Sequence, residues 1–385
     1  MKIIKTYNKI ADIGLNELDK EKYTITDSAD NPDAIMVRSA SLHDVDFGCK
    51  LTAIVRCGAG VNNIPVDRCA EQGIVVFNTP GANANGVKEL TLAALLLASR
   101  DIVGGIQWAN TLTENVAKQV EKGKSAFGGC ELLHKTLGVI GLGAIGGMVA
   151  NGAKSLGMNV IGCDPYITIN AAWHLSRSVA QAASYDEIYE KADYITLHIP
   201  ATPQTKGMIN KETIAKMKDG VKIINLSRAD LVNAADLKQA LESGKVSAYV
   251  TDFPTEETIN CKGIITIPHL GASTAESEDN CAIMAAHELD DFLRNGNITN
   301  SVNYPSISIP YAGGGRVLVL HKNVPTIISQ ITSIISAEGI NIDNMANRSK
   351  GDYACTLIDI PEKTNDALIE KISEIEHIIR IIKVN

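Results

Sequence analysis

The chain has 385 residues, 45% of them apolar and 21% charged, with a formal net charge of −8. That length holds two or three domains with sizeable cores, and the acidic balance argues against nucleic acid or an anionic membrane as the main partner. Its eight cysteines stand without Cys-x-x-Cys or Cys/His ligand spacing. No structural metal is therefore expected, and the thiols read as free in a reducing compartment.

Residues 1–7 read as a first strand and show no signal-peptide core. The longest apolar run, 92–98, is too short to span a bilayer. A cytoplasmic protein is expected. Short apolar runs at 34–37, 53–55 and 74–77 alternate with polar turns as a small α/β unit. A Gly/Asn-rich loop (79–86) leads into a long helical pattern from about 87 to 100.

A strand-like run at 137–140 then meets the turn Gly141-Leu142-Gly143-Ala144-Ile145-Gly146. A helix-compatible segment (145–156) follows, and a second strand-like run (159–162) leads to Asp164. Gly141 permits a tight turn, Gly143 lets backbone approach a pyrophosphate, and Gly146 lets helix and strand pack closely. The helix start offers free N–H groups and the positive end of its dipole. A carboxylate about 20 residues further on grips a ribose hydroxyl. The alternative is a bland β-turn-α packing motif. Strand, helix, second strand and terminal acid together favour a dinucleotide. Asp164 repels a 2′-phosphate, and no Arg or Lys follows it in Pro165-Tyr166-Ile167-Thr168; NAD is favoured over NADP.

Beyond this turn, strands at 193–199, 221–226, 246–251 and 264–267 alternate with helices capped by Ser184, Asn210 and Asn233. This pattern predicts a doubly wound parallel sheet with ligands at the carboxyl ends of its strands. A helix over 274–294 stops at Gly296 and is expected to return the chain to the N-terminal unit. Residues 300–313 read as a linker. The tail reads β-α-β-β-α-β, with Ile327, Ile328, Ile331, Ile334 and Ile335 on one helix face: a ferredoxin-like module.

Three residues at predicted strand ends suit hydride transfer to or from a 2-hydroxy acid. Arg228 supplies a guanidinium for a carboxylate, His269 an imidazole for the hydroxyl proton, and Glu257 a carboxylate to favour the imidazolium. Singly, a His of this kind is most often structural or on the surface, and an Arg–Glu pair is usually solvated surface charge.

The chain resembles the D-isomer-specific 2-hydroxyacid dehydrogenase family over nearly its whole length. The resemblance rests on Val37-Arg38-Ser39, on residues 56–64, 88–91 and 197–209, on the glycine turn, and on residues 224–228, 252–257 and 268–274. It implies an Arg-Glu-His catalytic set at Arg228, Glu257 and His269. Where the family has Asp-Val-Phe, this chain has Asp252-Phe253. Counting from Asp252 gives Glu257, as does the spacing from Arg228; anchoring on Phe253 gives Glu256.

The resemblance further implies two parallel-sheet Rossmann-like domains, 1–88 with 284–304 for substrate and 89–283 for NAD, with the active site in the cleft between them. Asp252 meets the nicotinamide, Ala144 and Ile145 the pyrophosphate, His198 and Pro200 the adenosine side; Ser227 and Gly271 join the cofactor set. Gly58 and Ala59 offer backbone N–H groups to the substrate carboxylate, Ala59 also counting with the cofactor. Arg38 and Arg56 take a substrate phosphate, and Ser39 joins the substrate set. The implied reaction is oxidation of 3-phosphoglycerate to 3-phosphohydroxypyruvate. Residues 305–385 resemble an ACT module that binds L-serine through His321, Asn323 and Asn341, between subunits of a homodimer or homotetramer. Competing readings are a glyoxylate or hydroxypyruvate reductase and a non-catalytic NAD-sensing corepressor of the same fold.

Overall fold

Strands form where the apolar runs lie. The computed structural model describes residues 1–311 and 313–384, and the chain divides into two compact units, Ala84–Thr274 and Met1–Asn83 with Ala275–Asn385.

In the first unit along the chain, β1 (Lys2–Tyr7), β2 (Tyr23–Thr26), β3 (Ala34–Val37), β4 (Ala53–Arg56) and β5 (Val75–Asn78) form a parallel sheet in the order β2-β1-β3-β4-β5. The long helix Ala275–Asn295 returns to it as expected. Its Ala282, Ala285, Ala286, Leu289 and Phe292 share one core with Ile4, Met36, Val55 and Phe77.

Ala84–Thr274 carries β6 (Thr136–Ile140), β7 (Asn159–Cys163), β8 (Ala180–Gln181), β9 (Tyr194–Leu197), β10 (Val221–Asn225), β11 (Val246–Thr251) and β12 (Ile264–Thr266), all parallel, in the order β12-β11-β10-β9-β6-β7-β8. Successive residues point to opposite faces: Ile223 and Tyr249 enter one core, Ile224 and Val250 the other. A sheet buried on both faces accounts for the unbroken apolar runs. Helices Ala84–Ser99 and Ala144–Ser155 supply one of these cores. Ser184, Asn210 and Asn233 cap their helices as the sequence predicts. Helices Ile102–Ala109 and Val116–Gly123 are additional. Neither buries a residue.

The tail forms β13 (Gly315–Lys322), β14 (Asn344–Lys350), β15 (Tyr353–Ile360) and β16 (Ile378–Val384), an antiparallel sheet in the order β14-β15-β13-β16. Helices Ile327–Ala337 and Asp366–Ser373 cover one face. The other face, with Leu318, Leu320, Cys355 and Leu357, joins the core beneath helix Ala275–Asn295. Arg316 is fully buried and forked onto Asp359 at 2.5 and 2.8 Å, with its remaining N–H groups on the carbonyls of Asn295, Ile309 and Pro310. A buried pair of this kind persists only when its other donors are satisfied, as here. The stretch that reads as a linker is built into the unit instead. Tyr304 is buried and donates to Ala70 O at 2.7 Å, and the Asn303 side chain bonds both Val76 N and Ile74 O.

Candidate active site

The glycine turn closes β6 onto helix Ala144–Ser155. Gly141 has φ +89°, and a Cβ there would lie 2.4 Å from His198 O. A Cβ on Gly146 would lie 1.9 Å from Gly141 O, so helix and turn are in backbone contact. Gly143 is the opposite case: a Cβ there meets nothing within 4 Å, which leaves room above the helix start at Ala144 and Ile145. Asp164, just past β7, accepts from Leu142 N and Tyr166 N, both at 2.9 Å. Its carboxylate therefore braces the glycine turn from the side and keeps lone pairs for a ribose.

Two buried polar atoms in this unit lack partners. His198 Nδ1 is one; Nε2 lies 2.9 Å from Thr196 Oγ1. Burial pushes this imidazole down to about 4, so it is neutral near pH 7. Asp252 Oδ1 is the other. Asp252 is only 1% exposed at the end of β11. Burial raises its carboxyl above the usual range, while His269, the Gly271 N–H and Arg228 pull it back. Orphaned buried groups call for a ligand or water, and these two stand with the glycine turn at the carboxyl edge of the sheet. The residues present fit a dinucleotide.

Arg228 follows β10. Its position is set by Asn225, a fully buried residue the sequence reading passes over, whose carboxamide accepts from Ser227 N and Arg228 N and donates to Arg228 O at 2.8 Å. An Asx turn at a strand end is the signal that marks it. Ser227 Oγ donates to Leu197 O at 2.6 Å, and Arg228 Nη1 to Ser227 O at 2.6 Å. Pro200 is exposed; its carbonyl accepts from Thr205 Oγ1. His269 follows β12, its ring 4.6 Å from that of Phe253. Arg228, Asp252, Phe253, His269 and Gly271 therefore gather at neighbouring strand ends.

Glu257 does not join them by any hydrogen bond or ion pair among the described residues. It lines a cavity of about 250 Å³ with Asn233, Tyr249 and Phe253, and its carbonyl accepts from Cys261 Sγ. Glu256 is exposed.

In the other unit, Arg38 pairs with Glu278, and Arg56 Nε donates to Arg38 O at 3.0 Å. Gly58 has φ +152°, and a Cβ there would strike the Arg56 guanidinium. Ala59 O accepts from Asn78 Nδ2, and Ser39 N donates to Asn8 Oδ1. In the tail, His321 is 2% exposed with both ring nitrogens engaged, on Lys322 O and Thr356 Oγ1; burial lowers its pKa. Asn323 is exposed and donates to Gly351 O; Asn341, also exposed, faces Asp343. No hydrogen bond joins these three side chains among the described residues.

A parallel sheet with a glycine turn, a ribose-ready carboxylate and convergent charges at its carboxyl edge defines a dinucleotide-binding α/β protein. Residues 92–272 match the family described as D-isomer specific 2-hydroxyacid dehydrogenase, NAD binding domain. A D-3-phosphoglycerate dehydrogenase of Bacillus subtilis is 36% identical over 285 residues, which is 72% of this chain and 52% of the relative. The chain thus spans about half the length of that relative. A putative D-3-phosphoglycerate dehydrogenase of Schizosaccharomyces pombe is 31% identical over 338 residues, 80% of this chain and 68% of its own length. The crystal structure of an NAD+-bound 3-phosphoglycerate dehydrogenase from Entamoeba histolytica superposes with a TM-score of 0.61 at 28% identity, covering 78% of this chain and 98% of that one. The protein belongs to the D-isomer-specific 2-hydroxyacid dehydrogenase family, and Ala84–Thr274 holds its NAD-binding domain. Among the described residues no helix is long and apolar enough to cross a membrane, and no cluster of His, Cys, Asp and Glu suits a metal.

Proposed function

We propose that the protein is an NAD-dependent dehydrogenase that oxidises 3-phosphoglycerate to 3-phosphohydroxypyruvate, the first step of phosphorylated L-serine biosynthesis. The observation that supports this most is the gathering of Arg228, Asp252 and His269 beside a turn that fits a dinucleotide. The substrate assignment leans on the relatives named above.

NAD, when bound, would supply the acceptor for the hydride at C2 of the substrate. Gly141, Gly143, Gly146, Ala144 and Ile145 hold the pyrophosphate and Asp164 the ribose. His198, Pro200 and Ser227 line the adenosine side, and Asp252 with Gly271 the nicotinamide. Arg228 binds the carboxylate through charge-assisted bonds. His269 removes the C2 hydroxyl proton during oxidation and returns it during reduction. Glu257 is assigned to support the imidazolium, Gly58 and Ala59 to the carboxylate through backbone N–H groups, Arg38 and Arg56 to the phosphate, and Ser39 to the substrate set.

The test is NADH consumption by purified protein with 3-phosphohydroxypyruvate, with NADPH far poorer because Asp164 repels its 2′-phosphate. Consumption with glyoxylate or hydroxypyruvate alone would move the assignment to another keto acid. No consumption with any of them would favour an NAD-sensing corepressor.

We assign residues 305–385 to an effector module that pairs with the same module of a second subunit, in a homodimer or homotetramer, and takes L-serine at Asn323 and Asn341. His321, expected beside them, is buried with both ring nitrogens bonded and supports that strand from within. Calorimetric titration with L-serine checks this; no heat at millimolar concentration leaves an assembly module. The free thiols suit the cytoplasm.

A further inference from the structure

His269 and Arg228 rise from the ends of two strands, β12 and β10, that are not adjacent. No hydrogen bond or ion pair joins their side chains among the described residues. Both instead face one aromatic ring. Phe253 stands past the end of β11, the strand between them, with its centroid 4.6 Å from the His269 ring at an interplanar angle of 46°. The Arg228 Cζ lies 5.7 Å from the same centroid. These separations lie in the ranges at which an aromatic ring attracts a second ring and a cation.

Resting on the function proposed above, we infer that Phe253 is a positioning residue, whose ring holds the His269 imidazole and the Arg228 guanidinium at the spacing that proton transfer from a carboxylate-bound substrate requires. Little else could do so. His269 is exposed, and among the described residues no side-chain hydrogen bond fixes its ring. Arg228 is exposed as well, with one side-chain bond among them, to the carbonyl beside it. Unaided, both would keep their rotamer freedom and lose it only as substrate binds.

His269 and Arg228 also act on the buried Asp252 carboxyl beside Phe253, both drawing it down against its burial. Glu257 shares the cavity beside Phe253 but makes no bond to His269. Where the family has Asp-Val-Phe, this chain sets the aromatic ring of Phe253 directly after the buried carboxylate of Asp252.

The experiment compares Phe253→Leu, which keeps the bulk but not the π face, with Phe253→Tyr, which keeps both. NADH-dependent reduction of 3-phosphohydroxypyruvate is followed from pH 6 to 9, and NADH binding by fluorescence titration. For Phe253→Leu, kcat falls on the order of 10-fold. NADH affinity is unchanged. Phe253→Tyr retains wild-type behaviour in both. A Leu variant with wild-type kcat overturns the inference, as does a Tyr variant as impaired as the Leu one. A wild type that reduces no 2-keto acid at all overturns the functional reading itself.

Discussion

The two parallel sheets are built to one plan and finished differently. Each has the same run of neighbours, β2-β1-β3-β4-β5 in one and β7-β6-β9-β10-β11 in the other. In each, an aspartate before the third strand in sequence order, or its equivalent, pins the first. Asp33 accepts from Ile3 N at 2.6 Å, and Asp193 from Thr136 N at 2.8 Å. In each, the residue after the first strand is left-handed: Asn8 at φ +67° and Gly141 at φ +89°. The topology needs that turn in both places. Only at Gly141 does backbone close to 2.4 Å of where a Cβ would be, which asparagine could not survive. Asn8 uses its side chain, accepting from Ser39 N and Ala40 N. One sheet edge thus offers bare backbone suited to phosphates. The other offers a polar turn beside two arginines.

The largest expected effect lies at the edge of the NAD-binding sheet. His269→Gln lowers turnover by about 10²–10⁴-fold, the usual worth of a general acid–base, with NADH binding nearly unchanged. Steady-state rates beside fluorescence titration check it. A variant that also loses NADH would mean that His269 holds structure and not a proton.

Next come the arginines of the other sheet. Arg56→Ala or Arg38→Ala should raise KM for 3-phosphohydroxypyruvate far more than for unphosphorylated hydroxypyruvate. Each lost charge-assisted contact costs about 1.5–3 kcal/mol. Equal losses on both substrates would show that these residues serve the fold, Arg38 through Glu278 and Arg56 through Arg38 O.

A smaller effect separates the two turns themselves. Asn8→Gly keeps the left-handed turn and loses the bonds to Ser39 and Ala40, each worth about 1 kcal/mol. Gly141→Ala adds the left-handed cost of about 1–2 kcal/mol to a backbone clash, and should weaken NADH binding where Asn8→Gly does not. Thermal melts with and without NADH measure both. Similar responses from the two would dissolve the distinction drawn between them.

These differences also mark what could be read in advance. The parallel sheets, the glycine turn and the tail's β-α-β-β-α-β order follow from local patterns: apolar runs, caps and periodicity. Strand β11 falls where the sequence places it. Residues 300–311 were harder, because Pro and Gly mark a linker while burial of Tyr304 depends on a carbonyl at Ala70, far away in sequence. Asn225 carried a local signal, its Asx turn onto Ser227 and Arg228, but Phe253 was illegible for a related reason: its neighbours Arg228 and His269 come from the ends of adjacent strands, which spacing along one segment does not record.

The smallest effect concerns buried side-chain carboxylates, of which, among the described residues, each unit has one with an unpartnered oxygen. Asp252 is offset by His269, Arg228 and the Gly271 N–H. Glu288, on helix Ala275–Asn295 and 8% exposed, has only the Asn300 carboxamide at 2.6 Å. Burial therefore pushes it up to about 7. A carboxyl raised in the folded state contributes stability that is fully present below its unfolded value. That contribution is lost as pH rises through the folded value. Between about pH 4.5 and 7 the wild type should lose stability on this account, and lose no more above it. Glu288→Gln keeps an acceptor for Asn300 and cannot ionise, so its stability relative to wild type should rise by on the order of 1 kcal/mol from pH 5 to pH 8. Denaturant melts at the two pH values measure that difference. A gap that stays constant with pH would mean that Glu288 ionises at an ordinary value, with its second oxygen solvated.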